Sequence, residues 1–430
     1  MNIVQIIPGS GGSFYCGNCL RDSKFYSSLK KLNHNVIKIP MYLPLFDEKA
    51  NVHYDSPVFY GAVSLYLKQQ YPIFKKLPRF IDKLLDSKFM LNIASKYAGS
   101  TRAEGLEDMT VSMLLGEDGN QSEELETMAN WIETHLKPDI IHISNALLLG
   151  LAKRLKQIPN VKIVCSLQDE DVWVDSMHDK FQAKVWKLMG EKAADVDQFI
   201  AVSDYFAKLS IKRMNLNPES VETLYLGVEP QDYDFKNAVE KKRNIGFISR
   251  KCEANGLGVL IDAFIELKKN EDFQDVKLII TGGETSDDRK FLKIQDQKIK
   301  NNNLESSVEY WSKFDGDDRI RFYDNISVLS VPVIGGEAFG IYQTEAMASG
   351  IPIIQPDVGA FPEIIEKSKA GILFQDKNHI ELALQLKALF EDKELIKTLS
   401  NNAKDAADNI FNINILSQDL IGIYSDILKK

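Results

Sequence analysis

Two glutamates eight residues apart, Glu337 and Glu345, frame the stretch Ala338-Phe339-Gly340-Ile341-Tyr342, and here the chain could do chemistry. An apolar run at 326–333 predicts a buried strand before them, Gly335-Gly336 predicts a turn, and 341–349 is rich in helix formers. Gly350 and Pro352 stop that helix, and 351–355 predicts a second short strand. A helix beginning near Gly340 presents backbone N–H groups with no intrahelical partner. With the helix dipole behind them they favour an anion, typically phosphate. Gly340 lets the backbone approach such a group, Phe339 can screen it from water, and Ile341 and Tyr342 complete the first turn. Carboxylates beside an anion site repel the anion, so Glu337 and Glu345 are expected to accept hydrogen bonds from hydroxyls. Phosphate together with several hydroxyls describes a sugar nucleotide.

The elements that must position these groups follow from the pattern on either side. Strand, glycine turn, helix, strand is one unit of a parallel sheet. A similar unit opens the chain: a strand at 3–7, the loop Pro8-Gly9-Ser10-Gly11-Gly12, a helix over 18–32 and a strand at 35–39. The dinucleotide fingerprint is not matched and no acidic residue ends the second strand, which argues against a Rossmann dehydrogenase. From about 123 helices and strands alternate regularly, with strands at 139–144, 161–167, 199–202 and 221–226, then 244–249, 276–281, 308–312 and 371–374. Functional groups in such sheets gather beyond the C-terminal strand ends. His142 ends one strand, as a catalytic histidine or a satisfied core one. Asp169, Glu170 and Asp171 follow another, either orienting acceptor hydroxyls or capping the next helix. Arg250 ends a third, where a guanidinium fork suits phosphate oxygens.

At 430 residues, 44% hydrophobic and 26% charged, the chain predicts a globular protein of two or three domains. A net charge of −9 argues against general nucleic-acid binding, and no apolar run reaches the length of a membrane span. Met1-Asn2-Ile3-Val4 leads straight into the first strand, so no signal peptide is expected. Its four cysteines are too few for a disulfide scaffold and predict a reducing cytoplasm.

The pattern Glu337-x7-Glu345, with Phe339-Gly340-Ile341 inside it and Ala346-Met347-Ala348 after it, resembles the signature of glycosyltransferase family 4. Gly359-Ala360-Phe361-Pro362-Glu363 resembles that family's Gly-Gly-x-Pro-Glu segment, with Ala360 as a departure. The resemblance implies a GT-B α/β fold, two Rossmann-like parallel-sheet domains facing across a cleft. The domains would span 1–228 and 244–410, with a linker at 229–243 and a last helix, 411–430, crossing back to the first domain. It implies a retaining, metal-independent hexosyltransferase taking a UDP- or GDP-sugar as donor and a sugar or lipid-linked acceptor, with no cofactor. Such an enzyme would serve bacterial polysaccharide or glycoconjugate synthesis. In the family's roles Glu337 contacts the donor sugar, Glu345 the ribose, and Arg250 with the Gly340-Ile341 backbone the diphosphate. Gly11 and Gly12 face the donor phosphate from the first domain, and Asp169, Glu170 and Asp171 lie on the acceptor side. Asn255 stands where the family usually has lysine, which puts diphosphate binding in doubt unless the nearby Lys251 compensates.

Two stretches stay open. Cys16-Gly17-Asn18-Cys19 lacks partner ligands for zinc, so structural or substrate-lining thiols are favoured. The stretch 65–97 carries seven basic residues against two acidic ones, interleaved with aromatics. It reads as a solvated face, with peripheral membrane contact as the alternative. The alternatives in function are a sugar-nucleotide epimerase on the same fold or a non-catalytic sugar-nucleotide-binding subunit.

Overall fold

The apolar runs form two six-stranded sheets, parallel throughout. The structure, a computed structural model, describes residues 1–8, 15, 17–41, 45–46, 52–53, 59, 103 and 105–430. Gly11, Gly12, Cys16 and the stretch 65–97 lie outside the described residues. Two compact units divide the chain. The first takes Met1–Gly11, Phe25–Leu224 and Ser417–Lys430, the second Gly12–Lys24 and Tyr225–Leu416.

The first unit holds strands β1 (Asn2–Ile7), β2 (Asn35–Pro40), β3 (Ile140–Ile143), β4 (Lys162–Leu167), β5 (Gln198–Ala201) and β6 (Val221–Thr223). They lie in the order β2-β1-β3-β4-β5-β6. Ile3 is paired with Val36 on one side and Ile140 on the other, and the interior strands are buried on both faces. That two-sided burial is why they read as continuous apolar runs rather than alternating ones. A short antiparallel pair, Leu45–Phe46 with Val52–His53, stands apart from this sheet.

The second unit holds β7 (Asn244–Ile248), β8 (Lys277–Thr281), β9 (Val308–Tyr310), β10 (Val328–Leu329), β11 (Ile353–Pro356) and β12 (Gly371–Phe374). Their order is β9-β8-β7-β10-β11-β12. The chain leaves β7 towards β8 on one side and β10 towards β11 on the other, so the winding reverses between β7 and β10. Parallel neighbours require crossovers, supplied here by α2 (Leu257–Leu267), α3 (Arg289–Asn301), α4 (Gly316–Asp324), α5 (Tyr342–Ala348) and α6 (Phe361–Ser368), after α1 (Gly17–Lys31) of the opening unit.

The strand expected over 326–333 shrinks to Val328–Leu329, because Pro332 has no N–H for the ladder. Ser330 still donates to the Gly246 carbonyl at 3.0 Å, and Val331 turns instead to the Gln355 side chain at 3.1 Å. The stretch 229–243 is less a linker than a strap of the second unit. Tyr233 is buried there, and Lys241 Nζ donates to the carbonyls of Tyr323 and Ser349. The last helix, α7 (Ile413–Lys429), changes unit along its length, Ser417 onward counting with the first.

One backbone contact fixes the loop after β10. Gly336 and Gly359 meet face to face, and a Cβ on Gly359 would lie 2.7 Å from the Glu337 nitrogen and 2.8 Å from the Gly336 Cα. Gly359 also has φ of +65°, where a side chain is strained. Gly359→Val is therefore expected to cost about 2–4 kcal/mol, strain and overpacking together. Calorimetry checks this as a melting temperature several degrees lower; an unchanged one contradicts the contact.

Candidate active site

The C-terminal edge of the second sheet carries the loops after β7, β8 and β10, laced by backbone bonds. Lys251 N–H donates to the Gly283 carbonyl at 3.0 Å, and Ile334 N–H donates to the Ala254 carbonyl at 2.9 Å. Arg250, at the end of β7, and the stretch Glu337–Ile341, after β10, thus leave adjacent strands where the winding reverses. In open α/β sheets that crevice is where ligands bind.

Glu337 is half-buried and accepts from the Tyr342 hydroxyl at 2.5 Å. The pairing folds its carboxylate over Gly340, whose φ is +81°. A Cβ there would meet Glu337 Oε2 and the Tyr342 hydroxyl, each at 2.9 Å. The helical bonds then begin, with Gln343 N–H donating to the Gly340 carbonyl at 3.0 Å. Helix α5 is a short one, Tyr342–Ala348, and all of it is buried. Phe339 turns inward. It is 1% exposed and packs into an aromatic group with Tyr225 and Phe411. Ile341 is buried beside it.

Glu345 differs most from expectation. Its side chain is fully buried, and both oxygens are taken by the protein. Oε1 accepts from Tyr233 at 2.9 Å and lies 3.1 Å from Arg319 Nε; that N–H is not aligned on the oxygen, so the contact is an ion pair rather than a hydrogen bond. Oε2 accepts from Tyr15 at 2.8 Å and from Tyr323 at 3.0 Å. Burial first, and the Glu345 charge second, hold all three phenols well above their usual range, so they remain donors. Sequence reasoning missed Tyr15, Tyr233, Tyr323 and Arg319. The one local signal was the spacing of Arg319 and Tyr323, four apart on α4 and so on one helix face.

Arg250 is clamped from the side. Its Nε and Nη2 bond the two oxygens of Asp288 at 2.9 Å each, and Nη2 also reaches the Thr285 hydroxyl at 2.8 Å. Thr285 and Asp288 form a reciprocal capping box, so the clamp is itself fixed. Burial pushes the Asp288 carboxyl up, but the Arg250 and Thr285 bonds outweigh it and its pKa is lowered. Among the described residues Nη1 of Arg250 carries no bond, and the side chain is 35% exposed. Asn255 does not point a donor outward. Its amide bonds the Ser249 hydroxyl at 2.8 Å and the Arg250 carbonyl at 3.0 Å, bracing the loop. Lys251 pairs with Glu284 at 2.6 Å and lies over the Tyr310 ring, so its charge is already answered.

In the first unit His142 is buried, as the core reading expects. Nδ1 is 2.6 Å from the Tyr424 hydroxyl and Nε2 is 2.6 Å from the Ser166 hydroxyl. Glu170 is a cap, though not of its own helix. It accepts from the backbone N–H of Ala146, at the start of the 3-10 turn Ala146–Leu151, and from that of Gln168, at 2.7 Å each. Asp169 sits at φ +55° before it, and Asp171 lies in the following short helix with its pKa raised by burial.

The chain matches the family described as Glycosyl transferases group 1 over residues 229–406 and Glycosyltransferase Family 4 over residues 119–232. It is similar to an uncharacterized glycosyltransferase of Methanocaldococcus jannaschii, 23% identical over 302 residues, covering 67% of this chain and 75% of that one. It is similar also to N-acetyl-alpha-D-glucosaminyl L-malate synthase of Bacillus anthracis, 25% identical over 305 residues, covering 68% and 75%. Among solved structures it resembles Anabaena HepE in complex with UDP, with a TM-score of 0.69 at 17% identity, covering 99% of this chain and 100% of that one. Sucrose-phosphate synthase from Thermosynechococcus elongatus gives 0.70 at 15% identity, covering 99% of each. At these identities the structures share the fold: two Rossmann-like α/β domains of the GT-B type.

The Glu170 cap carries a pH signature. Burial raises its pKa from 4.5 to about 8, against the pull of its backbone donors. The folded state therefore keeps a proton that the unfolded chain releases near 4.5. The resulting stability is complete below that value and is lost as pH rises towards 8. The loss is on the order of several kcal/mol. Glu170→Gln removes the titrating proton but offers one acceptor oxygen to the two N–H groups, so it is expected to lower the melting temperature while flattening this fall. Melting temperatures of both proteins between pH 5 and 8 check it, and parallel curves contradict it.

Proposed function

We propose that this chain, which belongs to the group 1, family 4-like glycosyltransferases, moves a sugar from a nucleotide-diphosphate donor to an acceptor hydroxyl with retained anomeric configuration. The observation that supports the reading is that Arg250 and the stretch Glu337–Ile341 follow adjacent strands, β7 and β10, between which the winding reverses. One end supplies a cationic fork, the other a glycine-bounded turn with a carboxylate folded over it. Phosphate and hydroxyl recognition therefore converge on one sheet edge.

In this reaction the bond from the anomeric carbon to the diphosphate oxygen breaks, and the acceptor oxygen bonds to the same face. The acceptor's proton passes to a donor phosphate oxygen, so no protein base is required. Charge develops on the departing diphosphate. Arg250 Nη1 and the backbone at Gly340-Ile341 are placed to stabilise it, and preorganised donors of this kind are often the largest catalytic contribution. Asp288 holds the fork in one orientation while offsetting part of its charge. Glu337 accepts from hydroxyls of the donor sugar and Glu345 from those of the ribose. A uridine donor is favoured, because HepE, of the same fold, holds UDP and UDP-glucose in its structures. The acceptor we assign is a sugar or a lipid-linked sugar in polysaccharide or glycoconjugate synthesis. Among the described residues no helix is long and apolar enough to cross a membrane.

A second reading, a binding subunit without turnover, is favoured by one observation: the position usually held by lysine carries Asn255, whose amide donates to the Ser249 hydroxyl and the Arg250 carbonyl. Incubation with UDP- and GDP-sugars separates the two. Slow release of nucleoside diphosphate, accelerated by an acceptor, supports the transferase; binding without release supports the subunit. Arg250→Ala is expected to lower kcat by about 10²–10³-fold. Glu337→Gln should lower kcat by about tenfold or more while UDP affinity holds, since it touches the sugar and not the nucleotide. Full activity in both variants contradicts the assignment.

A further inference from the structure

Glu345 Oε2 is occupied before any ligand arrives. Among the described residues the contacts of Glu345 are Tyr15 and Tyr323 on Oε2 and Tyr233 and Arg319 on Oε1, and none of its surface is exposed. Each carboxylate oxygen offers about two acceptor positions, and on Oε2 two phenols face them. A ligand hydroxyl therefore gains a place on Oε2 only when one of these phenols leaves.

The four are not equally free to leave. Arg319 and Tyr323 share one face of α4, both are buried, and the Tyr323 hydroxyl also lies 3.2 Å from the Tyr342 carbonyl, which can share its proton. The Tyr323 ring is packed edge-on against Phe322 and Tyr233. Tyr233 lies in the strap that Lys241 pins to the carbonyls of Tyr323 and Ser349. Tyr15 comes from 330 residues away in sequence. A single backbone bond, from its N–H to the Gly282 carbonyl at 2.8 Å, accompanies its hydroxyl contact. It sits within the sequence Gly9-Ser10-Gly11-Gly12-Ser13-Phe14-Tyr15-Cys16-Gly17.

We propose that Tyr15 is the resting occupant of a hydroxyl-binding position on Glu345 Oε2, and that a ribose hydroxyl of a nucleoside diphosphate takes this position by displacing it. The inference rests on the donor reading above and deepens it: nucleotide binding and release of Tyr15 are one event. Coupling of this kind is reciprocal, so whatever holds the phenol on Glu345 weakens the nucleotide by the same factor.

Titration calorimetry of the full chain with UDP and with GDP, on the wild type, Tyr15→Phe and Tyr233→Phe, tests it. Tyr15→Phe keeps the ring and removes the competing hydroxyl. It is expected to bind its preferred nucleotide about ten- to a hundredfold more tightly, the worth of one hydrogen bond to a charged group. Tyr233→Phe removes a standing partner of the other oxygen and is expected not to tighten binding. Hydrogen exchange gives a second readout. Adding nucleotide to the wild type is expected to lower protection of the peptide covering 15–24, opposite to the usual effect of a ligand. Equal or weaker binding by Tyr15→Phe, equal tightening in Tyr233→Phe, or rising protection at 15–24 overturns the exchange and leaves the donor reading standing. If neither nucleotide binds any of the three proteins, the exchange and the donor reading fail together.

Discussion

A carboxylate taken wholly out of water must be answered by donors, and the second unit is arranged to answer Glu345. Removing an ion of this size from solvent costs several kcal/mol even after relaxation, and losing one partner of a buried pair typically costs about 3–5 kcal/mol. That demand explains why α4 turns Arg319 and Tyr323 to the same side, and why the strap at 229–243 is held down rather than left to solvent. It also explains how a tyrosine near the start of the chain comes to count with the second unit. The charge makes the phenols strong partners, and their burial keeps them protonated.

The same logic recurs at Arg250 with a different outcome. Asp288 answers two of its nitrogens and leaves the third, so the guanidinium is oriented without being used up. A half-exposed, pre-aimed fork suits an anion that comes and goes. The fully enclosed Glu345 suits a partner that must be exchanged. Glu337 lies between these cases, half-buried and accepting from the Tyr342 hydroxyl. The two glutamates of one short motif thus have different electrostatic histories, set by burial rather than by residue type.

In the first unit the polar groups at the strand ends are mostly architectural. His142 is spent on two hydroxyls, one from β4 and one from α7. Glu170 closes the start of a 3-10 turn that otherwise leaves an N–H unanswered. Their position at C-terminal strand ends invited a catalytic reading. Such ends are also where chain direction changes and backbone donors need partners.

The sequence alone determined the strand and helix order, the parallel α/β class, the glycine turn after β10 and the motif linking Glu337 to Glu345. All of these rest on periods and spacings of a few residues, which local sterics and the burial of apolar faces enforce. It also placed Arg250 at a strand end. Tertiary structure alone decided that Asp288 clamps Arg250, that Asn255 braces a loop, that Phe339 turns inward and that Tyr15, Tyr233 and Tyr323 converge on Glu345. The reason is physical. Which group answers a buried charge is settled by what the completed fold brings within 3 Å, and those partners lie tens to hundreds of residues apart.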